Sequence, residues 1–358
     1  MSGAPPIRLV VLFGGRSAEH DVSRVTARHV LAAADPERYD LVAVGIGRDG
    51  RWVRVALGPD PREWGDSLTI AGDETDPWTL FTPGTVVLPL LHGPMGEDGT
   101  VQGLLETAGV AFVGAGVLGS AVAMDKIIAK RLAAEAGIPQ VEWRALHADD
   151  VLADDGRGAD VDRRLDDLAD ALGFPMFVKP ANMGSSIGVS KVVDRAGLRP
   201  AIEAALAHDE WIVVEEGVTG REIEVAVLGH TTAPRASVPG EIVPAAEFYD
   251  YDDKYADGAA ELRIPAPLAP AEAEAVRALA CAAFRSHRAE GMARVDFFFE
   301  EGGRGWLLNE INTVPGFTPI SMYPQLWQAT GLTYRALIDE LVALAIERHA
   351  STRRWRTS

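Results

Sequence analysis

The sequence predicts an α/β protein of several domains, and three observations carry that expectation. Short apolar runs alternate with helical stretches through the first third, which points to a parallel sheet. In the middle, a small-residue loop joins two strands. Near the end, "ARVDFFFE" and "GWLLNEIN" are two strand-like runs separated only by "EGGRG", which reads as a hairpin.

In chain order, "IRLVVLF" is a strand, followed by a glycine turn, a helix through "DVSRVTARHVLAAA" and the strand "LVAVGI". After "VVLPLLHGPMGEDGT" come the helix "VQGLLETAG", the strand "VAFVG" and one long helix from about Val117 to Ala136. The next strand is "VEWRALH", and the Asp- and Gly-rich stretch over 149–162 reads as a solvated surface loop. Strand "PMFVKP", loop "ANMGSS", strand "IGVSKVV", a helix and strand "WIVVEE" follow. The last part holds "REIEVAVLG", the loop "EFYDYDDKYADG", a helix over 271–290, the hairpin, a terminal helix and a basic tail, "STRRWRTS", expected to be disordered. The expected domains are 1–116, 117–216 and 217–358.

Composition narrows the function. With 358 residues and 47% hydrophobic content the chain has ample material for cores. No apolar run approaches the roughly 20 residues of a membrane helix and no signal peptide is evident, so a cytoplasmic enzyme without a membrane partner is expected. Cys281 falls on a helical stripe with Val276, Ala280 and Phe284 and is expected to be a buried core thiol. A net charge of −18 argues against a nucleic-acid partner. Lysines occur only at 126, 130, 179, 191 and 254, so a polyphosphate ligand would have to be met by a few placed cations and a metal.

The hairpin carries the sharpest chemistry. Alternation puts Trp306, Leu308, Glu310 and Asn312 on one face, with Leu307 and Ile311 on the other; Arg294 and Asp296 share a face opposite Val295, Phe297 and Phe299. Pairing around Gly303 sets Asp296 against Glu310, and opposed like charges destabilise a sheet unless a cation lies between them. Two carboxylates and an amide oxygen are hard donors suited to Mg²⁺. A solvated polar edge is the plainer alternative.

"GAGVLG" at 114–119 has dinucleotide-site spacing, but the acid expected about 20 residues on is missing: Glu135 still lies within the helix. In "VKPANMGSSIGVSKV", Lys179 precedes a loop whose N–H groups and Ser185 and Ser186 hydroxyls suit phosphate oxygens. Glu215, Glu216 and Glu222 follow in "IVVEEGVTGREIEV", where they suit either a ribose or an acidic linker.

Taken in order, "LFGGRSAEHDVS", "LHGPMGEDGTVQGLLE", "GAGVLGSAVAMDK", "VKPANMGSSIGVSKV", "EFYDYDDKY", "ARVDFF" and "NEINTVPGFTPISMYP" resemble the D-alanine–D-alanine ligase family of ATP-grasp enzymes over about residues 7–340. The resemblance implies a three-domain ATP-grasp architecture, with ATP as co-substrate and a pair of Mg²⁺ ions for which Mn²⁺ can substitute. It assigns Lys126, Lys179, Ser186, Glu215, Glu222, Phe248 and Lys254 to the nucleotide, and Asp296, Glu310 and Asn312 to the metal. Arg294 and the Gly316 N–H would stabilise an oxyanion. Glu19 would hold the ammonium of a first D-alanine, and His92 and Ser321 would lie near the second. Ser185 and Tyr255 would join Glu19 when a loop closes, and a tyrosine at 255 favours D-alanine over D-lactate. A homodimer serving peptidoglycan precursor synthesis is implied as well. The alternatives are a ligase of the same fold making D-alanyl-D-lactate or a related product, and a non-catalytic nucleotide-binding regulator, which would not need the lysines, metal ligands and Arg294 together.

Overall fold

The structure, a computed structural model, describes residues 5–151, 158–244 and 260–356. Phe248, Lys254 and Tyr255 lie outside the described residues.

Strands β1 (Ile7–Gly14), β2 (Tyr39–Ile46), β3 (Trp52–Val55), β4 (Gly72–Glu74), β5 (Val86–Pro89) and β6 (Ala111–Phe112) form the first sheet in the order β4-β3-β2-β1-β5-β6. Pairing is parallel from β2 through β1 and β5 to β6, and antiparallel at β3 and β4. Leu9 to Phe13 are wholly buried, so β1 is apolar on both faces, as a central strand covered on both sides must be. The short outer strands β3 and β4 are half-buried to exposed and left no readable pattern in the sequence.

Strands β7 (Trp143–His147), β8 (Met176–Pro180), β9 (Ser190–Val192) and β10 (Trp211–Glu216) make an antiparallel sheet, β7-β10-β8-β9. The last sheet comprises β11 (Arg221–Gly229), β12 (Arg235–Pro244), β13 (Ala260–Arg263), β14 (Gly291–Glu300) and β15 (Gly305–Asn312), ordered β13-β12-β11-β14-β15 and antiparallel. The middle sheet has its own core, whereas the first and last share one. Leu9, Val11 and Phe13 belong to the same buried cluster as Ala226, Leu228, Met292 and Trp327. The helix Tyr334–Arg356 joins them by burying Leu337, Ile338, Leu341, Val342 and Ala345, an i, i+1, i+4, i+5, i+8 stripe.

Several local expectations are corrected. The stretch over 149–162 is helical at both ends: Ala148–Val151 is a short helix, and Gly158–Leu172 is a helix that packs Leu165, Leu168 and Leu172 onto the middle sheet. Its many acids hid that spacing. The expected long helix over 117–136 is two, Val117–Met124 and Lys126–Glu135, broken where the Asp125 carboxylate accepts the N–H groups of Ile127 and Ile128, both at 2.9 Å. Strand β9 is shorter than "IGVSKVV", because Ile187 and Val189 hydrogen-bond back to Gly184 and Ser186 as turns. Backbone helix continues through the expected disordered tail to Arg356. Cys281 is half-buried beside the Val276–Ala280–Phe284 stripe rather than in it, since one residue past Ala280 turns it about 100° away.

The glycine run "GAGVLG" has a packing explanation. A Cβ on Gly119 would sit 2.4 Å from the Arg288 carbonyl oxygen, and one on Gly291 would sit 3.1 Å from the Gly114 nitrogen. Only glycine lets the two backbones approach so closely.

Candidate active site

The hairpin places its polar groups as the sequence suggested, by a different register. Asp296 lies opposite Glu310 and Arg294 opposite Asn312, but Phe297 then pairs with Leu308 and Phe299 with Trp306. Asn309 is therefore an extra residue, a bulge. Since one inserted residue exchanges faces, Trp306 and Leu308 enter the core with Phe297 and Phe299, while Glu310 and Asn312 stay on the polar side. Strict alternation had put all four together. The Phe299 and Trp306 rings stack at 4.1 Å. At the bulge the backbone also binds the segment after the Lys126 helix: the Leu308 N–H donates to the Pro139 carbonyl at 2.7 Å.

Across the sheet, β11 sets Glu224 opposite Asp296, so Glu224, Asp296 and Glu310 form one row over three strands. Arg294 answers them. Its Nε and Nη2 donate to the two Asp296 oxygens at 2.8 and 2.7 Å, and Nε lies 3.0 Å from Glu224 Oε2. The Asn312 amide donates to Asp296 Oδ2 at 3.0 Å. Burial opposes the guanidinium's charge, but Asp296 and Glu224 outweigh it and raise its pKa well above the usual arginine value.

A cationic wall faces this row. Lys126 opens its helix and its Nζ donates to the Met183 carbonyl at 2.6 Å, tying the helix to the "ANMGSS" loop. Lys130, one turn on, lies 3.0 Å from Glu215 Oε1, and Lys179 on β8 donates to Glu215 Oε2 at 2.7 Å. Burial alone would raise the Glu215 pKa; the two lysines reverse that and hold it at about 2. Burial likewise pulls on Lys179, yet Glu215, Glu310 and Glu222 keep its pKa above the ordinary lysine value.

The third wall comes from the first sheet's loops. Glu19, 9% exposed, precedes the helix His20–Ala33 and accepts a short hydrogen bond from Ser185 Oγ. Its carboxylate is seated by glycines: a Cβ on Gly93 would come within 2.7 Å of Glu19 Oε2. Ser185 and Ser186 both adopt positive φ, 50° and 58°, a strained arrangement for non-glycine residues in a loop. His92 Nδ1 is 3.0 Å from the Val314 carbonyl and 3.5 Å from Glu97 Oε1. Burial would lower its pKa, but Glu97, Glu19 and that carbonyl raise it. Ser321 Oγ accepts the Thr318 N–H at 3.1 Å and lies over Gly316.

Glu19, His92, Lys126, Ser185, Arg294, Glu310, Asn312, Gly316 and Ser321 line one cavity of about 250 Å³, together with Lys130 and Glu97. Lys179, Ser186, Glu215, Glu222 and Asp296 do not line it; of these, Asp296 holds Arg294 and Glu215 holds Lys130, both of which do. Sequence reading passed over Glu97, Lys130 and Glu224. Two had a signal: Lys130 is four residues from Lys126 on a helix, and Glu224 alternates with Glu222 on a strand.

Glu215→Gln would take the shared carboxylate from buried Lys130 and half-buried Lys179 and is expected to cost about 3 kcal/mol of stability at neutral pH. Because the folded Glu215 pKa lies below the ordinary value of 4.5, its contribution is complete above about pH 5 and is lost as pH falls toward about 2. Denaturant unfolding of both proteins across that range should show the gap closing; a constant gap would assign the loss to something other than this charge.

The family model described as "D-ala D-ala ligase N-terminus" matches residues 8–115, and that described as "D-ala D-ala ligase C-terminus" matches 132–343. A D-alanine–D-alanine ligase of Streptomyces avermitilis is 45% identical over 97% of this chain and 96% of its own length. One of Heliobacterium modesticaldum is 44% identical, covering 98% and 97%. Among solved structures, the D-alanine–D-alanine ligase from Coxiella burnetii superposes with a TM-score of 0.80 at 36% identity, covering 98% of this chain and 97% of that one. The VanG D-Ala:D-Ser ligase from Enterococcus faecalis gives 0.78 at 29%, covering 95% and 99%.

Proposed function

The chain belongs to the D-alanine–D-alanine ligase family, and from that membership we propose that its cavity holds the first D-alanine and the terminal phosphate of ATP side by side. The enzyme is an ADP-forming ligase of ATP-grasp architecture that joins two D-alanines into D-alanyl-D-alanine for peptidoglycan precursors. A carboxylate is a poor acyl donor, so the γ-phosphate passes to a carboxylate oxygen of the first D-alanine and ADP departs. The amine nitrogen of the second then attacks the acyl carbon, loses its proton, and phosphate leaves.

The observation that carries the reading is the meeting of three groups of side chains around one cavity: lysines of the Lys126 helix, the acidic row of the last sheet, and the Glu19–His92 corner of the first. Phosphoryl transfer depends mainly on positioning and charge. Lys126 and Lys179 bind the phosphates, with Lys254 added from outside the described residues. Ser186 joins them, Glu215 and Glu222 serve the nucleoside, and Phe248 packs on it. The acidic row fits Mg²⁺ or Mn²⁺: Asp296 and Glu310 offer buried or half-buried carboxylates directly opposed, and Asn312 an amide beside them. A Mg²⁺ held there would take its remaining oxygens from phosphate and water. Such a metal supplies charge neutralisation to the phosphates. Arg294, permanently protonated, and the Gly316 N–H stabilise the tetrahedral oxyanion. Glu19 holds the first ammonium, Ser185 locks it, and His92 and Ser321 position the second substrate.

The division into 1–116, 117–216 and 217–358 is supported by each sheet falling within one segment. We further propose a homodimer in the cytoplasm; no described helix is long and apolar enough to cross a membrane. Phosphate release from Mg-ATP with D-alanine, with products identified by mass spectrometry, tests the activity. Dipeptide is expected; release only on adding D-lactate, with depsipeptide as product, would reassign the second substrate. Tyr255→Phe should leave the fold intact and shift second-substrate preference toward D-lactate, measured by direct competition; an unchanged ratio would remove Tyr255 as the discriminating residue.

A further inference from the structure

A buried lysine is costly unless an opposite charge answers it. Lys130 is 4% exposed, lines the cavity, and has its ion-pair partner in Glu215 at 3.0 Å. That carboxylate already has a cation, Lys179, on its other oxygen at 2.7 Å. One lysine would have satisfied it. With a single lysine, however, Glu215 would cancel the charge of Lys179, and the pair would present no net charge to a polyphosphate; with two, the buried triad carries one net positive charge.

We propose that Lys130 is a positioning residue for the phosphate chain of ATP. It holds Glu215 by the second oxygen and offsets its charge, so that Lys179 keeps both its orientation and its attraction for phosphate. Burial, with Glu215 itself 3% exposed, makes such a balance matter more than it would at a surface. The backbone supports the role. Lys130 sits one turn after Lys126 on the same helix, its carbonyl accepts the Gln140 amide at 2.8 Å, and Pro139 next to it is hydrogen-bonded to Leu308 at the hairpin bulge. The lysine wall and the acidic row are thereby held in register. This inference rests on the proposed role of Lys179 as a phosphate ligand.

The test is calorimetric binding of ATP and of adenosine to the full-length chain in the presence of EDTA, so that neither metal nor turnover enters. The quantity read is the ratio of the two affinities, which isolates the phosphates. Lys130→Met should lower that ratio about tenfold, and Lys130→Arg should keep it within about threefold. Lys130→Met combined with Glu215→Gln restores one net positive charge and should recover most of the ratio, whatever level the glutamine sets for adenosine affinity. A purely structural lysine predicts otherwise: equal losses for ATP and adenosine and no recovery in the double variant, and either result overturns the proposal. Lys179→Met is the control for the premise. If it lowers the ratio while Lys130→Met does not, Lys130 has no such role; if it leaves the ratio unchanged, the phosphate assignment of Lys179 fails and the inference with it.

Discussion

Glu310→Ala is expected to reduce Mg-dependent turnover by about a thousandfold or more without unfolding the protein. The size follows from the several kcal/mol that a bound metal contributes to a phosphoryl transition state, each 1.36 kcal/mol being a factor of ten. The structural expectation is different. Glu310 faces Asp296 directly, with Glu224 next in the row, so removing it relieves repulsion among aligned acids in the metal-free protein while taking an anion from Lys179 and Arg294, and the two effects oppose each other. The variant should therefore melt close to the parent in EDTA, and lose the rise in melting temperature that Mg²⁺ with ATP gives the parent. Turnover within tenfold of the parent, or an undiminished metal-dependent rise, would mean that the acidic row does not hold the metal.

Arg294→Lys should be the second largest loss, about 10² to 10³ in kcat, with the KM for ATP changed less than about threefold. Lysine keeps the charge and loses the fork. In the parent the fork spans both Asp296 oxygens and reaches Glu224, a geometry that fixes the guanidinium while leaving donors for the cavity. An ammonium on a flexible stem cannot make those contacts at once, and about 2 kcal/mol of stability should go with them. A kcat close to the parent's would show that charge alone suffices at this position and that the oxyanion is held elsewhere.

How much of this was legible beforehand differs from element to element. Strands β10 and β11 match their apolar runs to the residue, because both are buried and bounded by turn residues. The facing of Asp296 and Glu310 was also legible, since the turn between their strands is short. The bulge was not. It lies where Pro139 and Gln140 dock on Leu308, more than 160 residues away in sequence, and no local pattern reports a partner that distant. Helix Gly158–Leu172 was obscured for a different reason: its polar face is so acidic that composition outweighed the leucine spacing. The break at Asp125 was read through as one continuous helix, although an aspartate there can cap the helix that follows it.

By itself the sequence determined the family, the ATP-grasp architecture and the inventory of reactive groups, because motif order and residue type are properties of the chain and survive without coordinates. It also determined which strand positions carry acids, since alternation is fixed by backbone geometry. Only the tertiary structure decided which charges meet. The row of Glu224, Asp296 and Glu310 needs strand register, the sharing of Glu215 by Lys130 and Lys179 needs a helix docked on a sheet, and the seating of Glu19 against Gly93 and Ser185 needs the loops after β1, β5 and β8 brought together. Electrostatic interaction depends on distance and burial, and both are set by packing between segments far apart in the chain.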